Sequence, residues 1–168
     1  MARVLLITGA SRGIGAATAK LAAARGYDVG VNYNTDAQAA ASVVDAVKTQ
    51  GRNAVAIQGN MAVEVDVARM FKTVDEALGP LTHFVYNTGI PGRAGRLDTA
   101  DPAMMREVVD VNVMGALLSL QHAIKRMSKK HGGQGGSIVL LSSVAADIGG
   151  PNEYVWYAAT KGAIESMT

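Results

Sequence analysis

Arg3-Val-Leu-Leu-Ile-Thr-Gly-Ala-Ser-Arg-Gly-Ile-Gly15 is the stretch that decides the fold of this chain. Arg3 to Thr8 is a short apolar run that reads as a buried strand. Thr8 to Gly15 carries glycines at 9, 13 and 15, and Ala16 to Arg25 is rich in alanine, the strongest helix former. Each glycine has its own task. Gly9 turns the chain sharply off the strand, while Gly13 and Gly15 let backbone approach an anion and let helix pack on strand. The helix start then turns N–H groups and the positive end of its dipole toward a phosphate. Strand, glycine turn and helix are the context a dinucleotide fingerprint requires. The spacing is G-x-x-x-G-x-G rather than the commoner G-x-G-x-x-G.

The alternation continues along the chain. Tyr27 to Tyr33 reads as a second strand. Asp36 to Gln50 reads as a helix, with Thr35 or Asp36 as N-cap and Gly51 just past its end. Ala54 to Gln58 is a third strand, Val63 to Leu78 a helix closed by Gly79-Pro80, and Leu81 to Tyr86 a fourth strand. Pro91 to Asp101 reads as an irregular loop. Pro102, with Asp101 as N-cap, opens a long helix that reaches about Lys130. Gly132 to Gly136 is a flexible connector, Ser137 to Ser142 a fifth strand, and Tyr154 to the terminus a last helix. This pattern predicts an α/β fold, a Rossmann-like doubly wound parallel sheet of about five strands covered by helices on both faces. Residues 1–168 form a single domain.

Composition narrows the function. With 168 residues, 49% of them hydrophobic, the chain can bury one substantial core. No apolar run approaches the ~20 residues of a membrane span. The first residues lead straight into the glycine turn without a signal-peptide stretch, so a cytoplasmic protein without a membrane partner is expected. The absence of cysteine excludes disulfides, thiolate catalysis and Cys-ligated metals. His83, His122 and His131 lack metal-ligand spacing, so no metal is expected. A net charge of +2 and the lack of a basic run with interleaved aromatics argue against nucleic acid.

A second constellation lies near the other end. In Tyr157-Ala-Ala-Thr-Lys161, a phenol and an ammonium four residues apart share one helix face. A free phenol titrates near pH ~10, and a nearby cation favours the phenolate, so the pair can act as a general acid/base tuned by the lysine. The glycine turn and this pair together resemble one family, the short-chain dehydrogenases/reductases, over the whole chain. Thr8 to Gly15 looks like the family's TGxxxGxG loop, and Asn87-Thr88-Gly89 stands where the family has Asn-Ala-Gly. Asn112 matches its helix asparagine, Ser143 its catalytic serine, and Tyr157 with Lys161 its YxxxK motif.

The resemblance implies hydride transfer between a nicotinamide cofactor and a small carbonyl or alcohol substrate. Tyr157 would pass the proton. Lys161 would lower the phenol's pKa and bond the nicotinamide ribose. Ser143 would hold the substrate oxygen, its neighbour Ser142 being the residue most easily confused with it. Asn112 would help hold a water for proton relay. The dinucleotide would lie along Gly9, Ser11, Arg12, Gly13, Ile14 and Gly15, then Tyr33 and Asn34, Asn60 and Met61, Asn87, Thr88 and Gly89, and reach Tyr157 and Lys161.

The second strand ends Asn32-Tyr33-Asn34 with no acid to bond a ribose 2′-hydroxyl, and Arg12 offers a guanidinium for a 2′-phosphate. NADP(H) is therefore favoured over NAD(H), which stays possible. Two positions depart from the family: Asn60 replaces its usual Asp, and Thr88 its usual Ala. The resemblance also implies a longer protein with further strands and a substrate-covering segment. The chain is thus expected to be C-terminally incomplete, with an open sheet edge prone to association. Three readings follow: an oxidoreductase, a dinucleotide-binding fragment without turnover, and a subunit-interaction module. A homo-oligomer, dimer or tetramer, is expected through the long helix and the Tyr-Lys helix.

Overall fold

The computed structural model describes residues 3–168. Among them, five parallel strands form one sheet in the order β3-β2-β1-β4-β5. The strands are β1 (Arg3–Ile7), β2 (Tyr27–Tyr33), β3 (Ala54–Gln58), β4 (His83–Tyr86) and β5 (Ser137–Leu140). The helices are α1 (Gly13–Ala24), α2 (Ala37–Lys48), α3 (Glu64–Leu78), α4 (Pro102–Val109), α5 (Gly115–Met127), α6 (Ala145–Ile148) and α7 (Val155–Glu165). The strand order reverses between β1 and β4, which leaves a crevice at the carboxyl ends of the strands.

Period-two alternation in β1 divides the core in two. Val4 and Leu6 join the cluster built by Met70, Phe71, Phe84, Tyr86 and Ile164 under α3, α5 and α7. Leu5 and Ile7 join Val29, Val31, Val43 and Ala19 under α1 and α2. Val4 to Ile7 are all buried, which is why the strand reads as an unbroken apolar run. The alanines of α1 let it lie close to the sheet. β5 is an edge strand, and Val139 on it is 51% exposed.

Strand positions agree with the sequence reading to within two residues at each end, and Asp36 is the cap of α2, accepting a bond from the Ala39 amide at 2.9 Å. Three details differ. Helix α1 begins at Gly13, not Ala16, because the Ala16 amide bonds the Arg12 carbonyl at 3.2 Å, while low glycine propensity hides that turn. The segments after β4 and β5 contain a 3-10 turn at Leu97–Thr99 and the short α6. The helix expected from Pro102 to Lys130 is a continuous helical path with a π-helical segment at Asp110–Met114, and α5 ends at Met127. Tyr86 donates its hydroxyl proton to the Val111 carbonyl in that segment. The close approach depends on Gly115, where a Cβ would stand 2.7 Å from the Met61 carbonyl.

Candidate active site

A cleft of about 550 Å³ opens at the carboxyl ends of β1 to β4. Its floor is the glycine turn. Gly9 has φ +60°, and its amide donates to Asn32 Oδ1 at 3.0 Å, while the Ala10 amide bonds the Asn32 carbonyl at 2.7 Å. The Asn32 amide nitrogen donates to the Ile57 and Gly59 carbonyls at 3.2 and 3.1 Å. One buried side chain thus ties the ends of β2 and β3 to the turn after β1. Asn87 does the same from β4, donating to the Thr8 and Gly9 carbonyls at 2.9 and 3.0 Å. Thr8 Oγ1 accepts the amides of Asn87 and Thr88, each at 3.0 Å.

The residues expected on the dinucleotide path fall into two groups. Ser11, Arg12, Gly13, Ile14, Asn34, Asn60, Met61, Asn87, Thr88 and Gly89 line the cleft with Gly9. Gly15, Tyr33, Tyr157 and Lys161 do not line it. Gly15 lies beneath the turn, where a Cβ would stand 2.7 Å from both the Gly9 carbonyl and Asn87 Nδ2. Tyr33 packs against the α1–α2 core. Asn32, Thr35, Asp36 and Glu107 line the cleft and were not anticipated as site residues. A polar residue inside the apolar run Val29 to Val31 and Tyr33 was the available signal for Asn32.

An anionic dinucleotide suits these groups. Among the described residues no side chain caps the start of α1 and its first turn holds no acid, so its first N–H groups, beside the cleft lined by Gly13 and Ile14, are left for an anion. Arg12 is exposed at the cleft and makes no ion pair among the described residues. A Cβ on Gly13 would meet nothing within 4 Å, although φ there is +56°. Asn60 is held by its amide, which donates to Asp66 Oδ2 at 2.9 Å, and by its side-chain oxygen, which accepts from Ala62 N at 3.0 Å. The Asn60 amide, followed by Arg69, holds the Asp66 carboxyl below the usual carboxylate range. Thr88 Oγ1 is buried and has no hydrogen-bond partner among the described residues.

Behind Gly89 lies α7, none of whose residues lines the cleft. A Cβ on Gly89 would lie 3.2 Å from Lys161 Nζ and 3.6 Å from Asn112 Oδ1. Lys161 is 4% exposed, donates to the Leu141 carbonyl at 2.6 Å and sits 5.7 Å from the Tyr157 ring centroid. Burial pushes its pKa below the usual lysine value. Tyr157 is half-buried. Asn112 makes three side-chain hydrogen bonds. Its oxygen accepts the Ile90 amide at 2.9 Å, and its nitrogen donates to the Ile90 carbonyl and Thr160 Oγ1, each at 3.0 Å. Thr160 Oγ1 in turn donates to the Tyr157 carbonyl at 2.8 Å. Ser142 and Ser143 differ in engagement. Ser142 Oγ faces α7, 2.8 Å from Glu165 Oε1 and 3.1 Å from the Lys161 carbonyl. Ser143 Oγ accepts the Ala145 amide at 3.2 Å and keeps its own proton. Ser143 makes no hydrogen bond to Tyr157, Lys161 or Asn112 among the described residues.

Among the described residues there is no cluster of His, Asp or Glu able to hold a metal ion, and no helix is long and apolar enough to cross a membrane.

Sheet order, glycine turn and cleft define a dinucleotide-binding α/β protein of the Rossmann-like class. The sequence profile of the short chain dehydrogenase family matches residues 3–168, and the chain belongs to that family. It is 42% identical to an uncharacterized oxidoreductase of Escherichia coli strain K12 over 98% of this chain and 67% of that protein. It superposes with a TM-score of 0.90 and 38% identity on a short chain dehydrogenase from Burkholderia cenocepacia J2315 in complex with NADP, over 99% of this chain and 65% of that one. Acetoin dehydrogenase from Enterobacter cloacae superposes with a TM-score of 0.91 and 32% identity, over 100% and 65%. The chain spans about two thirds of the length of these relatives.

Proposed function

We propose that this chain carries the cofactor cleft and the proton-transfer group of an NADP(H)-dependent oxidoreductase acting on a small carbonyl or alcohol substrate. The observation that carries the reading is the packing of Gly89, a cleft-lining residue, against Lys161 and Asn112: a Cβ there would lie 3.2 Å from Lys161 Nζ and 3.6 Å from Asn112 Oδ1. When bound, the nicotinamide supplies or accepts the hydride. Tyr157 donates its phenolic proton to the carbonyl oxygen on reduction and takes it from the alcohol on oxidation. Lys161, anchored on the Leu141 carbonyl, keeps positive charge beside that phenol. The Ser143 hydroxyl, with its proton free, steadies the substrate oxygen. Asn112 orients Ile90 and α7, and with its side chain so engaged, a relay water would bond its remaining lone pair or its main chain.

The preference for NADP(H) rests on charge. Arg12 lines the cleft and makes no ion pair among the described residues, and Asp36, the acid nearest the end of β2, is engaged by the Ala39 amide at the start of α2. A second copy of the chain is the proposed partner for the outer face of α4 and α5. There Val109, Leu117 and Ile124 are 42%, 44% and 47% exposed at spacings of eight and seven residues. A second reading, dinucleotide binding without turnover, is favoured by the open face of β5 around Val139.

The experiment is NADPH oxidation at 340 nm against a panel of small ketones and diketones, with NADPH affinity measured separately. Tyr157→Phe is expected to lower turnover by on the order of 10²–10⁴ and leave NADPH affinity within a few-fold. Turnover that survives this substitution refutes the assignment, and saturable binding without turnover in the unaltered chain selects the second reading. Arg12→Ala is expected to weaken NADPH binding and leave NADH binding unchanged.

A further inference from the structure

Trp156 is the one tryptophan of the chain and directly precedes Tyr157. It is 5% exposed, and its indole N–H donates to the Pro91 carbonyl at 2.8 Å. Pro91 follows Ile90, a wall residue of the dinucleotide cleft. The segment lies directly on the indole because Gly92 is a glycine. Its φ is +73°, and a Cβ there would come within 3.1 Å of both Trp156 Nε1 and Val108 Cγ2. Two further attachments flank this one. The Gly95 amide donates to the Glu153 carbonyl at 2.9 Å, and both main-chain groups of Ile90 bond Asn112, which bonds Thr160. Positions 153, 156 and 160 are spaced by three and four residues, so the segment is fastened along one side of α7 and its leading turn. Tyr157 and Lys161 stand on the adjacent side of the same helix.

We propose that Trp156 is a positioning residue for Tyr157: its hydrogen bond to Pro91 fastens residues 90–95 to α7 and so sets the phenol's place relative to the dinucleotide cleft. The inference rests on the role proposed above for Tyr157. An indole nitrogen is a donor only, and phenylalanine keeps most of the ring while leaving the Pro91 carbonyl without that donor. The local consequence is a segment held only by its end attachments, Ile90 to Asn112 and Gly95 to Glu153, and released between them. Displacement of reacting groups by about 1 Å lowers rates by on the order of 10²-fold, so a partial loss of this register has a large kinetic signature.

The test is Trp156→Phe, followed in two independent ways. The first uses NADPH turnover on 2,3-butanedione, with NADPH affinity read from the cofactor's own emission. The expected result is a fall in kcat of about 10-fold or more, with NADPH affinity changed less than about 3-fold. An unchanged kcat, or a loss of affinity in proportion to the loss of kcat, overturns the proposal. The second needs no turnover. In protein labelled with carbon-13 at the tyrosine Cζ, the Tyr157 resonance, assigned with Tyr157→Phe, is expected to shift or broaden in Trp156→Phe. The resonances of Tyr27 and Tyr33, across the sheet, stay in place. Amide exchange at Ile90 and Gly95 is expected to quicken. An unmoved Tyr157 resonance or unchanged exchange overturns the proposal. If the unaltered chain binds NADPH and reduces no carbonyl, the proposed activity fails, and the resonance and exchange measurements still decide the role of Trp156.

Discussion

Asn32→Asp exchanges one NH2 group for one oxygen and tests the node on which the cleft floor is built. Asn32 is 1% exposed, accepts from the Gly9 amide at 3.0 Å and donates to the Ile57 and Gly59 carbonyls at 3.2 and 3.1 Å. Aspartate keeps the acceptor for Gly9 but turns its second oxygen toward two carbonyl oxygens. As a carboxylate it repels both, and as a neutral acid it can bond only one. Each buried group left unsatisfied costs about 1–3 kcal/mol, so the substitution is expected to destabilise the chain by about 3 kcal/mol. For a domain of this size that lowers Tm by roughly 6–12 °C. The pH dependence has a definite sign. Burial facing two carbonyls raises the folded-state pKa of the new carboxyl above its unfolded value of about 3.9. The unfolded chain therefore loses its proton first, and the deficit widens as pH rises above about 4 until the folded carboxyl also ionises. Urea unfolding of both proteins between pH 5 and 8 measures it. Equal stability at pH 8, or a deficit that narrows with rising pH, would refute the role assigned to Asn32.

Gly15→Ala sets helix propensity against packing. Alanine favours the helix by about 1 kcal/mol, but its Cβ would stand 2.7 Å from the Gly9 carbonyl and from the twice-bonded Asn87 amide. Overpacking of this kind costs about 1–3 kcal/mol, so a net loss of stability is expected in denaturant unfolding, together with weaker NADPH binding. Gly13→Ala meets no neighbour and carries only the penalty of its left-handed backbone, about 1–2 kcal/mol, so its NADPH affinity should suffer less than that of Gly15→Ala. Thr88→Val replaces a buried hydroxyl that has no partner among the described residues by a methyl of similar shape, and should raise unfolding free energy by about 1 kcal/mol. A loss of stability there would show that the hydroxyl is satisfied. The Asp66 carboxyl is held low by the Asn60 amide and by Arg69, so the stability it contributes is complete above its ordinary value of 3.8 and is lost as pH falls through its folded value. Asp66→Asn should flatten the acid limb of the stability profile below about pH 4 and leave its shape above pH 6 unchanged.

The order of elements was legible because local signals agreed. Apolar runs, alternating faces, a cap at Asp36 and glycine turns all pointed to one parallel α/β sheet, and each is set within a few residues of sequence. The placing of Tyr157 and Lys161 on one helix face was equally local. The π-helical segment was not legible, because it depends on Tyr86 reaching Val111 across 25 residues. The distinction between Ser142 and Ser143 also needed tertiary contacts: Ser142 faces Glu165 and the Lys161 carbonyl, while the Ser143 hydroxyl has no acceptor among the described residues. Tyr33 was expected on the dinucleotide path from its place at a strand end. It packs instead with the α1–α2 core, because side chains alternate sides along a strand and the neighbouring Asn32 and Asn34 line the cleft.

Sequence by itself determined the fold class, the glycine turn and the family, because a motif of neighbouring residues needs only local geometry to be recognised. Tertiary structure alone decided that Asn32 and Asn87 hold the cleft floor, that Asn112 is engaged by Ile90 and Thr160, and that Trp156 grips the segment after β4. Those are hydrogen bonds between residues 22 to 79 positions apart, formed where strand ends and helices converge. Apart from Thr160 Oγ1, their partners are main-chain carbonyls and amides, which almost every residue carries and which no sequence pattern marks.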